Sequence, residues 1–172
     1  MLKIITPRTS IVPINLQDDQ FLLELMNTKG WLTFIGDKYI ESTQHARTYI
    51  IDSIIPAYKS PTMGMRKIVL KSSNTPIGIC GFVQRNYLDL PDIGFALLPQ
   101  FSKKGYMLEA CRALLAYGKV RGIHPCAAIT TSSNVKSQQL LKRLGFQQQQ
   151  HLPPQMPKKF MLFSNQSPLP QC

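Results

Sequence analysis

A mixed α/β domain, with a mostly antiparallel twisted sheet flanked by helices, is predicted by three features of this 172-residue chain. Two helix-period apolar patterns come early, three short β-rich runs separated by turn residues fill the middle, and strand and helix patterns alternate towards the end. The length suits one domain with a sizeable core. Hydrophobic residues at 44% against 17% charged mark a folded chain rather than a disordered one.

The elements follow in order. Residues 8–14, "RTSIVPI", alternate weakly and read as a first strand that ends at Asn15. "LQDDQFLLELMNT" then places Phe21, Leu22, Leu25 and Met26 on one helical face, with Asp18 and Asp19 where the helix dipole favours acids. A second helix is expected over residues 42–58, capped by Ser42 or Thr43 and ending near Pro56. "GWLTFIGDK" lies between the two.

"MRKIVLKS", "PIGICGFVQR" and "DIGFALLP" read as an antiparallel meander, because "SNT" and "NYLDLP" between them are turn-forming. A long helix from about Gly105 to Val120 leads to a strand in "CAAITTS". Another helix follows in "NVKSQQLLKRLGF", with Leu140, Leu141 and Leu144 on its apolar side and Gly145 as its stop. "QQQQHLPPQMP" is a loop or irregular strand before a last strand, "KFMLF". One domain over residues 1–164 and a loose tail over 165–172 are expected, with no internal repeat.

Charge is unevenly spread. Residues 1–102 carry ten Lys and Arg against eight acids, whereas residues 103–172 carry ten against a single acid, Glu109. Such a field attracts a polyanion: a nucleic acid, an anionic protein surface or a phosphorylated cofactor. No apolar run approaches the roughly 20 residues of a membrane span, and "MLKIITPRTS" lacks a signal-peptide core, so a soluble cytoplasmic protein is expected. Cys80, Cys111, Cys126 and Cys172 form no C-x-x-C pair and lack histidines at ligand spacing. They read as small buried hydrophobes, with Cys172 exposed in the tail, and no metal is expected. His45, His124 and His151 are scattered, and no Ser/His/Asp or Cys/His set is evident.

Chemistry is most legible at two strand-to-helix junctions. "SKKGYM", residues 102–107, enters the long helix through a glycine, where unpaired amides and the helix dipole suit a phosphate. The same residues serve as ordinary turn chemistry, since every helix has an N-terminus. At the second junction Asn134 is placed to cap the next helix, and Ser137 lies one turn inside it. Two polar junctions on one side of a sheet make a cleft for a long phosphorylated ligand.

"DIGFALLPQFSKKGYMLEACRALLAY" together with "AITTSSNVKSQQLLKRLGF" resembles the GNAT superfamily of acyl-CoA-dependent N-acyltransferases. "TPRTSIVPI", "WLTFIGDK" and "YIIDSIIPAY" are similar to its ribosomal-protein N-terminal acetyltransferase (Rim-type) branch, so the resemblance runs from about Thr6 to Phe146. It implies acetyl-CoA as cosubstrate, with no metal, and an amine-bearing acceptor, a protein N-terminus or a small molecule. Backbone amides of Ser102, Lys103, Lys104, Gly105, Tyr106 and Met107 would wrap the pyrophosphate. Phe95, Ala96, Leu97 and Leu98 would offer backbone groups to the pantetheine arm and thioester. Asn134 and Ser137 would contact CoA, Ser137 as the acid that reprotonates the thiolate, and Asp92 would be a base acting through water. Trp31 and Phe34 lie on the connection that overhangs the acceptor in relatives; Trp31 either lines that mouth or anchors a short helix.

Direct attack of an amine on a thioester needs only a neutral amine, a polarised carbonyl and a proton source, so few side chains are required. The chain departs from the family pattern at Lys103 and Met107, where small residues are usual, at Ser102, where an aromatic is common, and at Leu141, where many relatives carry a tyrosine acid. Arg66 stands where relatives often have an aromatic. Two alternatives stay open at this level: a non-catalytic CoA-binding descendant, and a basic ribosome- or nucleic-acid-associated protein. The chain is expected as a monomer or homodimer.

Overall fold

The computed structural model describes residues 3–166. The expected exposure of Cys172 and most of the expected loose tail lie outside that range. Eight strands form one sheet in the order β1-β2-β3-β4-β5-β6-β8-β7. Their ranges are β1 Ile4–Ile5, β2 Thr9–Pro13, β3 Gly64–Leu70, β4 Thr75–Val83, β5 Asp92–Leu97, β6 Ala127–Thr131, β7 Gln147–Gln148 and β8 Phe160–Ser164. All neighbours pair antiparallel except β5 and β6, which are parallel. The parallel step requires a crossover, and helix α4, Tyr106–Val120, supplies it after α1 Asp19–Met26, α2 Lys29–Phe34 and α3 Thr43–Tyr49; α5 spans Val135–Arg143.

Strand alternation splits the interior into two cores, one on each sheet face. Ile68, Cys80, Phe82, Ile93 and Phe163 point towards α4 and α5, where they meet Met107, Cys111, Leu114 and Leu141. Ile79 and Leu98 face the other way, against Phe21, Leu22, Leu25 and Trp31 of α1 and α2 and Ala46 of α3. Burying a side chain such as Leu114 contributes about 2 kcal/mol, so the apolar face of α4 fixes that helix on the sheet.

Four features differ from the sequence reading. The expected helix over 42–58 ends at Tyr49 and continues as a π-turn over Ile50–Ile54 and a 3-10 turn over Ile55–Lys59. Pro56 is the cause: it has no N–H and its ring crowds the preceding turn. The two-residue strand β1 has no periodicity to read, because it exists through pairing with β2. Helix α2 interrupts the segment read as a connection, capped by the Thr28 hydroxyl accepting from the Trp31 amide. Asn165, assigned by sequence to the loose tail, is tied to β6: its side-chain oxygen accepts from the Cys126 amide at 2.7 Å.

Candidate functional site

Among the described residues strands β5 and β6 pair only at Asp92 and Ala127, where the Ala127 amide donates to the Pro91 carbonyl at 2.9 Å, and the ladder stops beyond that point. The result is a V between two parallel strands. Backbone groups alternate sides along a strand, and the Leu98 amide donates to Ile77 of β4. Residues of the opposite parity, Phe95 and Leu97, therefore turn their amides and carbonyls into the V, where no ladder partner meets them. Ala96 and Leu98 belong to the other parity, and Leu98 is buried in the α1-side core.

The open end of the V is where both junctions gather, since β5 and β6 run the same way and each feeds a helix there. After a 3-10 turn over Pro99–Phe101, whose carbonyl at Pro99 accepts the Ser102 amide at 3.0 Å, the chain enters the loop that precedes α4. Lys103 sits at φ 63° and Gly105 at φ 80°, both left-handed. Successive residues of this kind make a concave nest of N–H groups. Helix α4 has no side-chain cap, and its first internal bond runs from the Glu109 amide to the Gly105 carbonyl at 3.1 Å. Amides from Lys103 to Leu108 have no partner among the described residues, and Lys103, Lys104 and Gly105 are exposed. A left-handed φ is one that glycine adopts without steric cost, so Lys103 stands at a position suited to glycine. Met107, one of the departures from the family pattern, packs its side chain into the α4-side core.

At the second junction the Asn134 side chain accepts from the Ser137 amide at 3.2 Å, so Asn134 caps α5. Ser137 is half-buried and its hydroxyl has no hydrogen-bond partner among the described residues. Leu141, where the resemblance implied a tyrosine acid, is wholly buried against the α4-side core. The side chain at that position faces the interior here, and Ser137 stands one turn before it.

Asp92 lies at the apex of the V and is 1% exposed. Arg85 Nε donates to its Oδ1 at 3.0 Å. Burial raises the Asp92 carboxyl above its ordinary value, with Arg85 pulling the other way. Asp92, Gly94 and Ala96 share the face opposite α4, and a Cβ on Gly94 would meet only the end of Met65, at 3.5 Å. Small side chains thus line this face of β5 between the buried acid and Ala96. Trp31 anchors α2 in the α1-side core, together with Leu98, and its indole N–H is buried without a partner among the described residues. Phe34, on the same helix, is half-buried. Gln100 donates to Glu24 at 3.1 Å, which holds α1 beside the turn after β5. Arg66 turns to the α4 side, where its guanidinium donates to the carbonyls of Pro61 and Gly64 at 2.8 and 2.9 Å. It belongs to the packing of that turn rather than to the acceptor side.

Sequence reasoning missed Thr6 and Arg8. Both reach the first turn of α4 through Glu109, and the one available signal was that Glu109 is a lone acid in a basic half. Among the described residues no three His, Cys, Asp or Glu side chains gather as a metal site. Cys80, Cys111 and Cys126 are free thiols and buried, as expected.

The chain that carries this splayed parallel pair and amide-lined loop is an acyltransferase of the N-acetyltransferase class, as its family match shows. Comparison with known proteins gives the same answer at two levels. The acetyltransferase (GNAT) domain model matches residues 8–147, and the chain belongs to that family. It is similar to the uncharacterized N-acetyltransferase YnaD of Bacillus subtilis (strain 168), 28% identical over 83 residues, which are 48% of this chain and 49% of that protein. The match thus spans about half the length of that curated relative. Among solved structures, an acetyltransferase from Agrobacterium tumefaciens str. C58 superposes with TM-score 0.82 at 17% identity, over 97% of this chain and 95% of that one. RimL, a ribosomal L7/L12 alpha-N-protein acetyltransferase in complex with coenzyme A, superposes with TM-score 0.79 at 17% identity, over 95% and 97%. At such identities the likeness establishes the fold, Rim-type neighbours included.

Proposed function

We propose that this chain is an acetyl-CoA-dependent N-acetyltransferase that moves an acetyl group to a primary amine by direct attack on the thioester. The observation that carries the reading is the row of unpartnered amides from Lys103 to Leu108 at the open end of the β5/β6 V. These amides, the α4 dipole and the charges of Lys103 and Lys104 suit a pyrophosphate. The free backbone groups of Phe95 and Leu97 suit a pantetheine arm laid along β5, and Asn134 and Ser137 border it from α5. RimL, named as acting on a ribosomal protein's α-amino group, supports a protein N-terminus as the acceptor, with a small amine as the other candidate.

In this reading the acceptor approaches along the α1-side face of β5, past Phe34 and Ala96, with Trp31 holding α2 in place there. A neutral amine nitrogen forms the new C–N bond while an amide of β5 polarises the carbonyl, and the C–S bond breaks. Asp92 accepts the amine's proton through a water, helped by the burial that raises its pKa. Ser137 Oγ donates to the departing thiolate. The basic second half of the chain then has a specific polyanion, CoA itself, to attract. A cytoplasmic location fits three buried free thiols, and among the described residues no helix is long and apolar enough to cross a membrane.

Calorimetry with acetyl-CoA, followed by thiol release with a panel of primary amines and N-terminal peptides, tests this. Saturable binding with amine-dependent release supports the reading. Binding without release from any amine would identify a non-catalytic CoA binder, and salt-sensitive RNA binding indifferent to CoA would replace the reading altogether.

A further inference from the structure

The loop that reads as the pyrophosphate site has almost nothing of its own to hold it. Lys103 and Gly105 are left-handed, and among the described residues the amides from Lys103 to Leu108 are unbonded and the helix start has no side-chain cap. Its support comes instead from the turn between β1 and β2, about a hundred residues away in sequence. Glu109, in the first turn of α4, accepts from the Thr6 hydroxyl at 2.6 Å and from the Arg8 amide at 2.8 Å on one oxygen, and from Arg8 Nε at 2.7 Å on the other. The same guanidinium donates through Nη1 to the Lys104 carbonyl at 2.9 Å and lies 4.6 Å from the centroid of the Tyr106 ring. Its Nη2 would stand 3.3 Å from any Cβ placed on Gly105. One side chain therefore engages residues 104, 106 and 109 together and stands over Gly105.

The turn that presents Arg8 is itself fixed. The Thr6 amide donates to the Thr9 carbonyl and the Lys71 amide to the Arg8 carbonyl, both at 2.9 Å. Lys71 Nζ donates to the carbonyls of Thr6 and Pro7 at 3.2 Å each. Arg8 is thus a fork on a rigid stem, a task for which the planar guanidinium is suited and a lysine ammonium is not.

We propose that Arg8 is a positioning residue for acyl-CoA, clamping the 103–106 loop in its phosphate-ready shape before ligand arrives. The inference rests on the reading of that loop as the pyrophosphate site. Preorganisation lowers the ordering cost of binding, so its loss is read in affinity for the nucleotide rather than in the chemical step.

Arg8→Lys and Arg8→Ala are compared with the wild type by thermal melting, by the rate of tryptic cleavage after Lys103 and Lys104, and by acetyl-CoA affinity with KM and kcat. Arg8→Lys keeps a cation beside Glu109 and guards against simple unfolding of Arg8→Ala. The clamp predicts that both variants are cleaved faster at Lys103 and Lys104, and that both bind acetyl-CoA about tenfold more weakly with kcat at saturation within about twofold of wild type. If Arg8→Lys binds and resists trypsin like the wild type, charge alone suffices and the proposal is overturned. Unchanged cleavage in both variants overturns it equally. If the wild type itself does not bind acetyl-CoA, the reading of the loop fails, a result distinct from wild-type binding that the variants leave intact.

Discussion

Lys103→Gly probes the left-handed turn directly. An L-residue with φ near 63° carries a steric cost of about 1–2 kcal/mol that glycine does not. Glycine gives back about 0.5–1 kcal/mol through the extra freedom of the unfolded chain. Lys103 is exposed and its side chain makes no hydrogen bond or ion pair among the described residues, so little else is lost. The net expectation is a gain of about 0.5–1 kcal/mol, which for a chain of this size raises the melting midpoint by about 2 °C. Lys103→Ala keeps the Cβ and removes the charge, so it should not share the gain. Both variants should bind acetyl-CoA a few-fold more weakly at low salt, with the difference from wild type shrinking as salt screens the phosphate. Melting by circular dichroism with calorimetry reads both effects. A midpoint for Lys103→Gly at or below that of Lys103→Ala would show that the left-handed geometry carries no strain and refute the reasoning.

Gly118→Ala should destabilise by about 1–3 kcal/mol in a urea titration, although alanine is the better helix former, because the new Cβ would stand 2.7 Å from Phe82 Cζ. Asp92→Asn should fold, lower kcat by about a hundredfold and remove the acid limb of the kcat/KM profile. In the wild type that limb, where the base becomes protonated, should lie above the ordinary carboxylate value because burial raises it; an unchanged kcat would leave Asp92 a structural partner of Arg85. Burial pushes the Cys126 thiol up to about 12 from 9.0, with Asp92 adding to the shift. The fold therefore favours the protonated thiol, a contribution present below pH 9.0 and lost as pH rises towards about 12. Iodoacetamide at pH 8 should label Cys126 only as fast as the protein unfolds, and rapid labelling of the native state would contradict the burial.

What the amino-acid sequence determined by itself was whatever depends on neighbours along the chain. The 3.6-residue spacing of Phe21, Leu22, Leu25 and Met26 is present before any tertiary contact forms, as are the turn residues around the meander and the stop at Gly145. The two junctions of the candidate site were legible for the same reason: each is a strand running into a helix through local polar residues, "SKKGYM" and "SSNVKS". Tertiary structure decided the rest, because the energies involved act between distant residues. That β5 and β6 part beyond Asp92, that Met107 and Leu141 turn inward, and that Trp31 anchors α2 follow from packing on a sheet no local pattern describes. The left-handed Lys103 contradicts its own residue preference and is held from outside. The hold comes from Arg8, whose guanidinium meets Glu109 and the Lys104 carbonyl only once a hairpin at one end of the chain has folded beneath a helix in its second half.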